Sequence, residues 1–420
     1  MSSPEPLHRA APRPSPWTPP FTRFFAAQTL SFFGSAMTPV AVSFGILRVT
    51  GRIEDLSLVL AANIVPMLAL LLFGGVIGDR LPRGRVLVLT HLAAALTQAL
   101  TALWFFAAAA GIADRRHLVL LMAVTAANGA AAAFTAPALR GIIAELVPAA
   151  AIGAANAART TTRSASRLLG PTIGGLLVAT AGAGWALAID AACLALAAAL
   201  LTRLRTEGRP ERTASMLADL REGWAEFVSR RWLWIVSASF FAVNLLIGGI
   251  WLVLGPVVAE GSIGASGWGL VLGARAAGLL LAGPIAYRWT PSRPLIWAQL
   301  LALPYGGAFL ALALAPRLEL LLPLALLAGV GSALEAILWE TALQHQIPAS
   351  ALSRVASIDM LASFASVPVG QLLAPAIAAA AGVQAAIIVG TGVLVIALLL
   401  PLLSRSVRQL PGGPAAHPVP

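Results

Sequence analysis

The stretch Gly75-Val76-Ile77-Gly78-Asp79-Arg80-Leu81-Pro82-Arg83-Gly84-Arg85 joins two apolar runs, 56 to 78 and 86 to 111. A helix crosses a bilayer with roughly 20 mostly apolar residues, and each run is long enough. The turn between them is charged, and Asp79, Arg80, Arg83 and Arg85 stay in water because a charge inside a bilayer is costly. One span therefore ends at this turn and the next begins there, on one side of a membrane.

The rest of the chain repeats that unit. Apolar residues make up 59% of it and charged residues 11%, with a mean hydropathy of +0.86, whereas about 25% charged is ordinary for a soluble domain. Apolar runs bounded by Arg, Pro or Gly fall at 22–47, 56–78, 86–111, 117–138, 152–181 and 184–203. A second set falls at 232–257, 266–288, 294–315, 320–344, 352–379 and 383–403. The expected fold is all-α and integral to the membrane: twelve transmembrane helices in two six-helix bundles, 22–203 and 232–404. A tail covers 1–21, a linker 204–231 and a second tail 405–420. In the linker Met216, Leu217, Leu220, Trp224 and Phe227 recur at helical spacing among Asp219, Arg221, Glu222 and Glu226, the pattern of an amphipathic helix lying on the membrane surface. The first tail carries Pro4, Pro6, Pro12, Pro14, Pro16, Pro19 and Pro20. It reads as disordered, without the apolar core of a signal peptide, so the first span is expected to be an uncleaved anchor.

All 28 basic residues are arginine. If both termini are cytoplasmic, 19 arginines lie in or beside cytoplasmic segments and five (Arg48, Arg52, Arg115, Arg116 and Arg317) face outward. That is the asymmetry of a multi-pass protein of the plasma membrane with an even number of spans. The arginines occupy brief loops rather than a basic face, which excludes nucleic acid as a partner. Cys193 is the only cysteine, so no disulfide framework or thiol metal site is expected. No metal-ligand spacing, cofactor motif or nucleophile with a base is readable. A phosphate loop with Lys is ruled out by the absence of Lys. The chain is expected to be neither an enzyme nor an ATP-driven pump, and to act as a monomer.

An internal repeat supports two equal halves. A shift of 200 residues places Gly129 on Gly329, Pro148 on Pro348 and Gly170 on Gly370. A shift of 208 puts Gly75, Arg80 and Arg85 on Gly283, Arg288 and Arg293. Related halves around a midplane site are the plan of many secondary transporters.

Within the opening loop, Asp79 can accept from a helix N-terminus while the arginines pair with carboxylates or lipid phosphates. The loop is then either a latch or a short turn held on one side by its charge. In the fifth span, Gly170-Pro171-Thr172-Ile173-Gly174-Gly175 combines a helix-kinking proline with glycines that admit another helix closely.

These segments resemble the major facilitator superfamily. The family's loop between spans two and three keeps Gly75, Asp79, Arg80 and Arg83, with Pro82 and Gly84 as departures and Arg85 alongside. The resemblance implies a gating loop that bridges to the eleventh span near Ser353 and Arg354, with Glu145 as a partner for Arg80 or Arg83. Gly170, Pro171, Gly174 and Gly175 look like the core of the family's antiporter motif, while Ser166 departs from its upstream glycines. Trp185 to Asp190, Trp339 to Gln344, Arg354 to Asp359 and Pro368 to Gly370 resemble the branch of enterobactin and macrolide exporters.

A charge at a helix centre costs about 2.5–3.5 kcal/mol on insertion scales. Arg159, Arg163 and Arg167 are four apart on one face of the fifth span. Arg163 and Arg167, with Asn244, are candidates to line a central cavity, where the arginines would favour an anionic or strongly polar cargo. Snorkelling to headgroups is the other reading. For a coupling proton the candidates are Glu335, Asp190, Asp359 and Glu340, with Glu335 first for its depth. Asp190 is equally readable as held by Arg275 or a polar neighbour, and Glu340 and Asp359 as paired with Arg140 or Arg354. Asn63, Gln98 and Asn128 are expected between helices. Trp104, Trp185, Trp232, Trp234, Trp251, Trp268, Trp289, Trp297 and Trp339 lie near span ends, where interfacial anchoring is expected.

The expected activity is export of a small organic molecule (a siderophore, antibiotic or other drug-like compound) with protons as coupling ion. An importer, a lipid flippase or a non-transporting receptor of the same fold is the alternative.

Overall fold

The computed structural model describes residues 15–78, 82–204, 224–289 and 291–412. Twelve membrane-length helical spans form the fold. The first half holds α1 (Pro19–Thr50), α2 (Ile53–Gly78), α3 (Arg83–Ala109), α4 (Leu118–Leu146), α5 (Ile152–Thr180) and α6 (Ala183–Leu201). The second holds α7 (Arg231–Glu260), α8 (Gly264–Arg288), α9 (Pro294–Leu314) and α10 (Leu318–Gln346). It is completed by α11 (Ala349–Phe364, then Ser366–Ala381) and α12 (Val383–Leu403). Eleven of these helices are apolar enough along their length to cross a membrane by composition alone. The exception is α5, which is 29 residues long and carries Arg159, Arg163 and Arg167 within its first sixteen residues.

Local sequence sets the helix ends. Thr18 caps α1, its hydroxyl accepting from the Phe21 amide at 3.2 Å, and Gly51 closes it at φ 66, a conformation that costs glycine little. Asp114 caps the turn before α4 by accepting from the Arg116 amide at 2.9 Å. Leu89, Leu92, Leu96 and Leu103 of α3 are all exposed, the apolar stripe expected where a helix meets lipid rather than protein.

The repeat in the sequence is a repeat in packing. A side chain added at Gly129 would strike the Asn63 backbone, joining α4 to α2, and one at Gly329 would strike Arg275, joining α10 to α8. Gly170 presses in the same way on Ala36, and Gly370 on Leu245. The glycines mark equivalent crossings in the two halves, where only a bare backbone permits the approach.

With twelve spans, Pro19 and Leu403 lie on one face, called here the termini face; the opposite one is the far face. The halves meet through α5 against α8 and through α2 against the second segment of α11. Gly175 abuts Ala265 and Gly269, and Gly269 abuts Pro171. Arg48 at the end of α1 donates to Glu260 at 2.8 Å, from one half to the other. A single buried apolar core, including Phe44, Leu187, Val253 and Trp268, spans both halves here. Toward the termini face the core divides into one cluster around Phe21, Phe24 and Ile142 and another around Leu233, Leu295 and Val355. Among the described residues the halves share one core at the far face and keep separate cores toward the termini face.

One expectation is revised by this packing. Trp104, Trp232, Trp251, Trp268 and Trp339 are buried core residues, and only Trp185, Trp234 and Trp297 of the expected anchors are exposed. Span ends in a bundle meet neighbouring helices as well as headgroups, and sequence position does not separate the two. Of the linker helix, Trp224 and Phe227 stack at 5.8 Å within a short helical stretch, while Met216, Leu217 and Leu220 lie outside the described residues.

Candidate functional site

A cavity of about 570 Å³ opens at mid-depth in the first half, within the usual range for a small-molecule site. It is framed by α1, α2, α3 and α4, with Leu194 from α6 and Leu252 from α7. Among the described residues no Asp, Glu or Arg lines it. Its polar groups are hydroxyls, amides and one imidazole, among them Ser35, Thr38, Asn63, Gln98, Asn128 and His91. Leu252 belongs to the π-helical stretch Ile247–Leu254 of α7, a local widening of the helix common at functional positions.

The wall of the cavity is a hydrogen-bonded lattice. Gln98 donates to Asp190 Oδ2 at 2.6 Å and to Thr38 at 3.0 Å. Thr38 donates to Asp190 Oδ2 at 2.7 Å and Ser35 to Oδ1 at 3.2 Å. Asp190 is fully buried, so its charge is met by three neutral donors from α1 and α3. Arg275, weighed as its partner, instead donates to Tyr305 at 2.7 Å in the second half. On the opposite wall Asn63 donates to the Thr125 carbonyl at 3.1 Å, and Asn128 to Thr97 at 2.8 Å. His91 Nδ1 donates to the Leu87 carbonyl at 2.7 Å. A carbonyl only accepts, so Nδ1 carries the hydrogen and Nε2 is left available.

The second-half carboxylates have different surroundings. Asp359 is buried and accepts from Ser237 and from Trp339 Nε1, the latter at 2.9 Å. It ties α7, α10 and α11 together. Glu335 is half-buried and has no ion-pair partner among the described residues; its helical neighbours Gly331, Leu338 and Trp339 are all buried, so it lies on the inward side of α10. Glu340 is exposed. Asn244 is half-buried and donates to the Phe240 carbonyl of its own helix at 3.0 Å.

Beside the turn between α2 and α3, Arg83 donates to Glu145 at 2.9 Å, joining α3 to the end of α4. Gly75 lies in the last turns of α2 and Arg85 is exposed at the start of α3. Asp79 and Arg80 lie outside the described residues, as does the side chain of Arg354. Gly170, Pro171, Gly174 and Gly175 are buried where α5 passes between α1 and α8.

Two pseudo-equivalent bundles of six spans are the plan of many membrane transporters. Residues 22–274 match the family model of the Major Facilitator Superfamily, and the chain belongs to that family. It is 30% identical over 384 residues to the multidrug efflux pump Tap of Mycolicibacterium fortuitum, covering 86% of this chain and 89% of Tap. In fold it is similar to the nucleoside transporter NupG (TM-score 0.72, 11% identity, 92% and 99% of the two chains). It is also similar to a bacterial homologue of the human lysosomal transporter Spinster in an inward-facing, unoccupied conformation (TM-score 0.68, 16% identity, 95% and 100% covered). The chain is thus a multi-pass membrane transporter of small molecules and not an enzyme.

Sequence reasoning missed His91, Ser35 and Thr38. Each is a small or neutral polar residue with no local signature, and only the packing of α1, α3 and α4 brings them to one cavity.

Proposed function

We propose that the chain exports a small organic molecule from the cytoplasm across the plasma membrane, by proton antiport and alternating access, as a monomer. The observation that carries this reading is the mid-depth cavity beneath a sealed far face. With the arginine-rich termini face cytoplasmic, the conformation is loaded from inside. The likeness to a protein named a multidrug efflux pump supports the outward direction; the fold alone does not set direction.

Cargo binds the first-half cavity, where hydroxyl, amide and imidazole groups orient it and the apolar wall supplies contact area. Asp190 holds Ser35, Thr38 and Gln98 in place from behind. Glu335 carries the coupling proton: it lacks a pairing cation among the described residues, so protonation is its route to neutrality when the halves close around it. Arg83 with Glu145, together with Asp79, Arg80 and Arg354, forms the gate on the cytoplasmic side. Gly170 to Gly175 form the seam against α8 on which the halves rock.

Everted membrane vesicles carrying the protein test this. A membrane-impermeant sulfonated dye such as Lucifer yellow should accumulate inside them when the interior is acidified, and leave when a protonophore is added. Accumulation that ignores the proton gradient would overturn the antiport reading.

A further inference from the structure

Four arginines lie within the spans, Arg159, Arg163 and Arg167 on α5 and Arg275 on α8, and none has a carboxylate partner among the described residues. Their direction follows from the packing of α5. Leu168, Thr172 and Gly175 meet α8, and Gly170 and Gly174 meet α1. Leu169 and Leu176, exposed and apolar, mark the lipid side. At 3.6 residues per turn, Arg167 emerges nearly opposite Leu169 and Leu176, between the α1 and α8 faces. Arg163 and Arg159 follow one and two turns toward the termini face. Arg163 and Arg167 therefore point away from the lipid side.

The four form one group. Arg159, Arg163 and Arg167 succeed one another a turn apart on α5, and Arg275 follows two residues after Gly273, which abuts the Leu168 carbonyl next to Arg167. Arg275 lies over the Tyr305 ring at 5.5 Å and Arg159 over the Phe32 ring at 5.9 Å. The Arg159 Nε is buried with no acceptor, a donor held ready and unused.

While the termini face is open, water screens this cluster. Closing the halves removes that water and leaves like charges facing each other in a low dielectric. We infer that the space onto which Arg167 opens, bounded by α1, α5 and α8, binds an anionic group, a carboxylate, phosphate or sulfonate, whose charge lets the halves close over Arg159, Arg163, Arg167 and Arg275. Arginine's planar donor fork suits such oxyanions. This rests on the transport reading above and narrows its cargo: a polar, largely uncharged body in the cavity and an anionic group on the arginines. The same chemistry is offered by the headgroup of an anionic lipid.

The test is equilibrium binding of fluorescein, an aromatic dianion, to protein in phosphatidylcholine nanodiscs, read by fluorescence anisotropy. Saturable binding is expected, resisted by citrate and indifferent to tetraphenylphosphonium. The Arg163→Gln, Arg167→Gln double variant should bind at least about tenfold more weakly. Its charge-keeping counterpart, Arg163→Lys with Arg167→Lys, should retain most of the affinity, which separates lost charge from lost folding. Replacing part of the phosphatidylcholine with phosphatidylglycerol distinguishes the sources: displacement of the dye assigns the site to a lipid headgroup, and unchanged binding assigns it to soluble cargo. Absence of saturable binding to the wild type, or equal affinity in the glutamine variant, overturns the inference. Anisotropy does not depend on transport, so a protein that binds the dye but moves nothing in vesicles overturns the export reading alone.

Discussion

The amide of Gln98 donates to the Asp190 carboxylate at 2.6 Å, so a group that lines the cavity is fixed by a charge that no solvent reaches. Thr38 bonds to both partners, closing a triangle between α1, α3 and α6. A cargo that takes a hydrogen bond from this wall takes it from a lattice already held in place. Little side-chain freedom is then left to lose on binding, which is the usual benefit of preorganisation.

Asp190→Asn should therefore weaken cargo binding and leave coupling intact. An amide in place of the carboxylate can accept at one atom only, and the disturbed bonds are each worth about 0.5–1.5 kcal/mol. The expected outcome is a KM for dye export raised several-fold, with accumulation still abolished by a protonophore. If the variant keeps its KM and loses its dependence on the proton gradient, the coupling proton sits on Asp190 instead.

Glu335→Gln and Asp359→Asn should differ in kind. Glu335 has no ion-pair partner among the described residues, so the glutamine variant should fold normally and lose gradient-driven export by at least about tenfold, the scale of one charge step. Asp359 is gripped by Ser237 and Trp339, and its loss leaves buried donors unmet at about 1–3 kcal/mol. That variant should show lower thermal stability in detergent with coupling preserved. Wild-type coupling in Glu335→Gln would remove Glu335 from the proton path.

The sequence made the spans and the pairing of halves legible because both follow from gross features. Apolar run length marks each helix, and Gly129 and Gly329 recur at a fixed offset because the same crossing is built twice. The α5 arginines also stood out, since charge in an apolar run is costly and visible. Asp190 was visible, but its partners were not. Ser35, Thr38 and Gln98 are ordinary residues for interhelical contacts, and their convergence depends on helix rotation that no one-dimensional pattern encodes. The buried tryptophans misled for the same reason: distance from a span end says nothing about which neighbour a ring meets.

Breaking the Arg48–Glu260 bridge should shift the conformational balance only modestly. Arg48 also donates to the Val178 carbonyl of its own half at 2.9 Å, so Glu260→Gln weakens the bond across the halves and leaves Arg48 held on the first. The pair is 40% and 32% exposed, and such surface bridges contribute about 0.2–1 kcal/mol. Spin-label distances across the far face should show an open population raised by at most about fivefold, with folding unaffected. No change in those distances would mean that the apolar core alone holds the far face shut.

Gly269→Ala should have the larger effect on the same equilibrium. The added methyl would press on the Pro171 carbonyl, and its counterpart Gly175 on the Ala265 carbonyl. Both neighbours are backbone, which cannot swing aside as a side chain can. Overpacking of this kind costs about 1–3 kcal/mol, and it falls only on the state in which α5 and α8 touch at the far face. Each half keeps its own core, so the protein should fold and insert while its population moves toward opening at the far face. Spin-label distances should lengthen there and shorten at the termini face, and export should slow because the cytoplasm-loaded state is less populated. A variant with unchanged distances would show that the close approach of α5 and α8 does not set the balance between states.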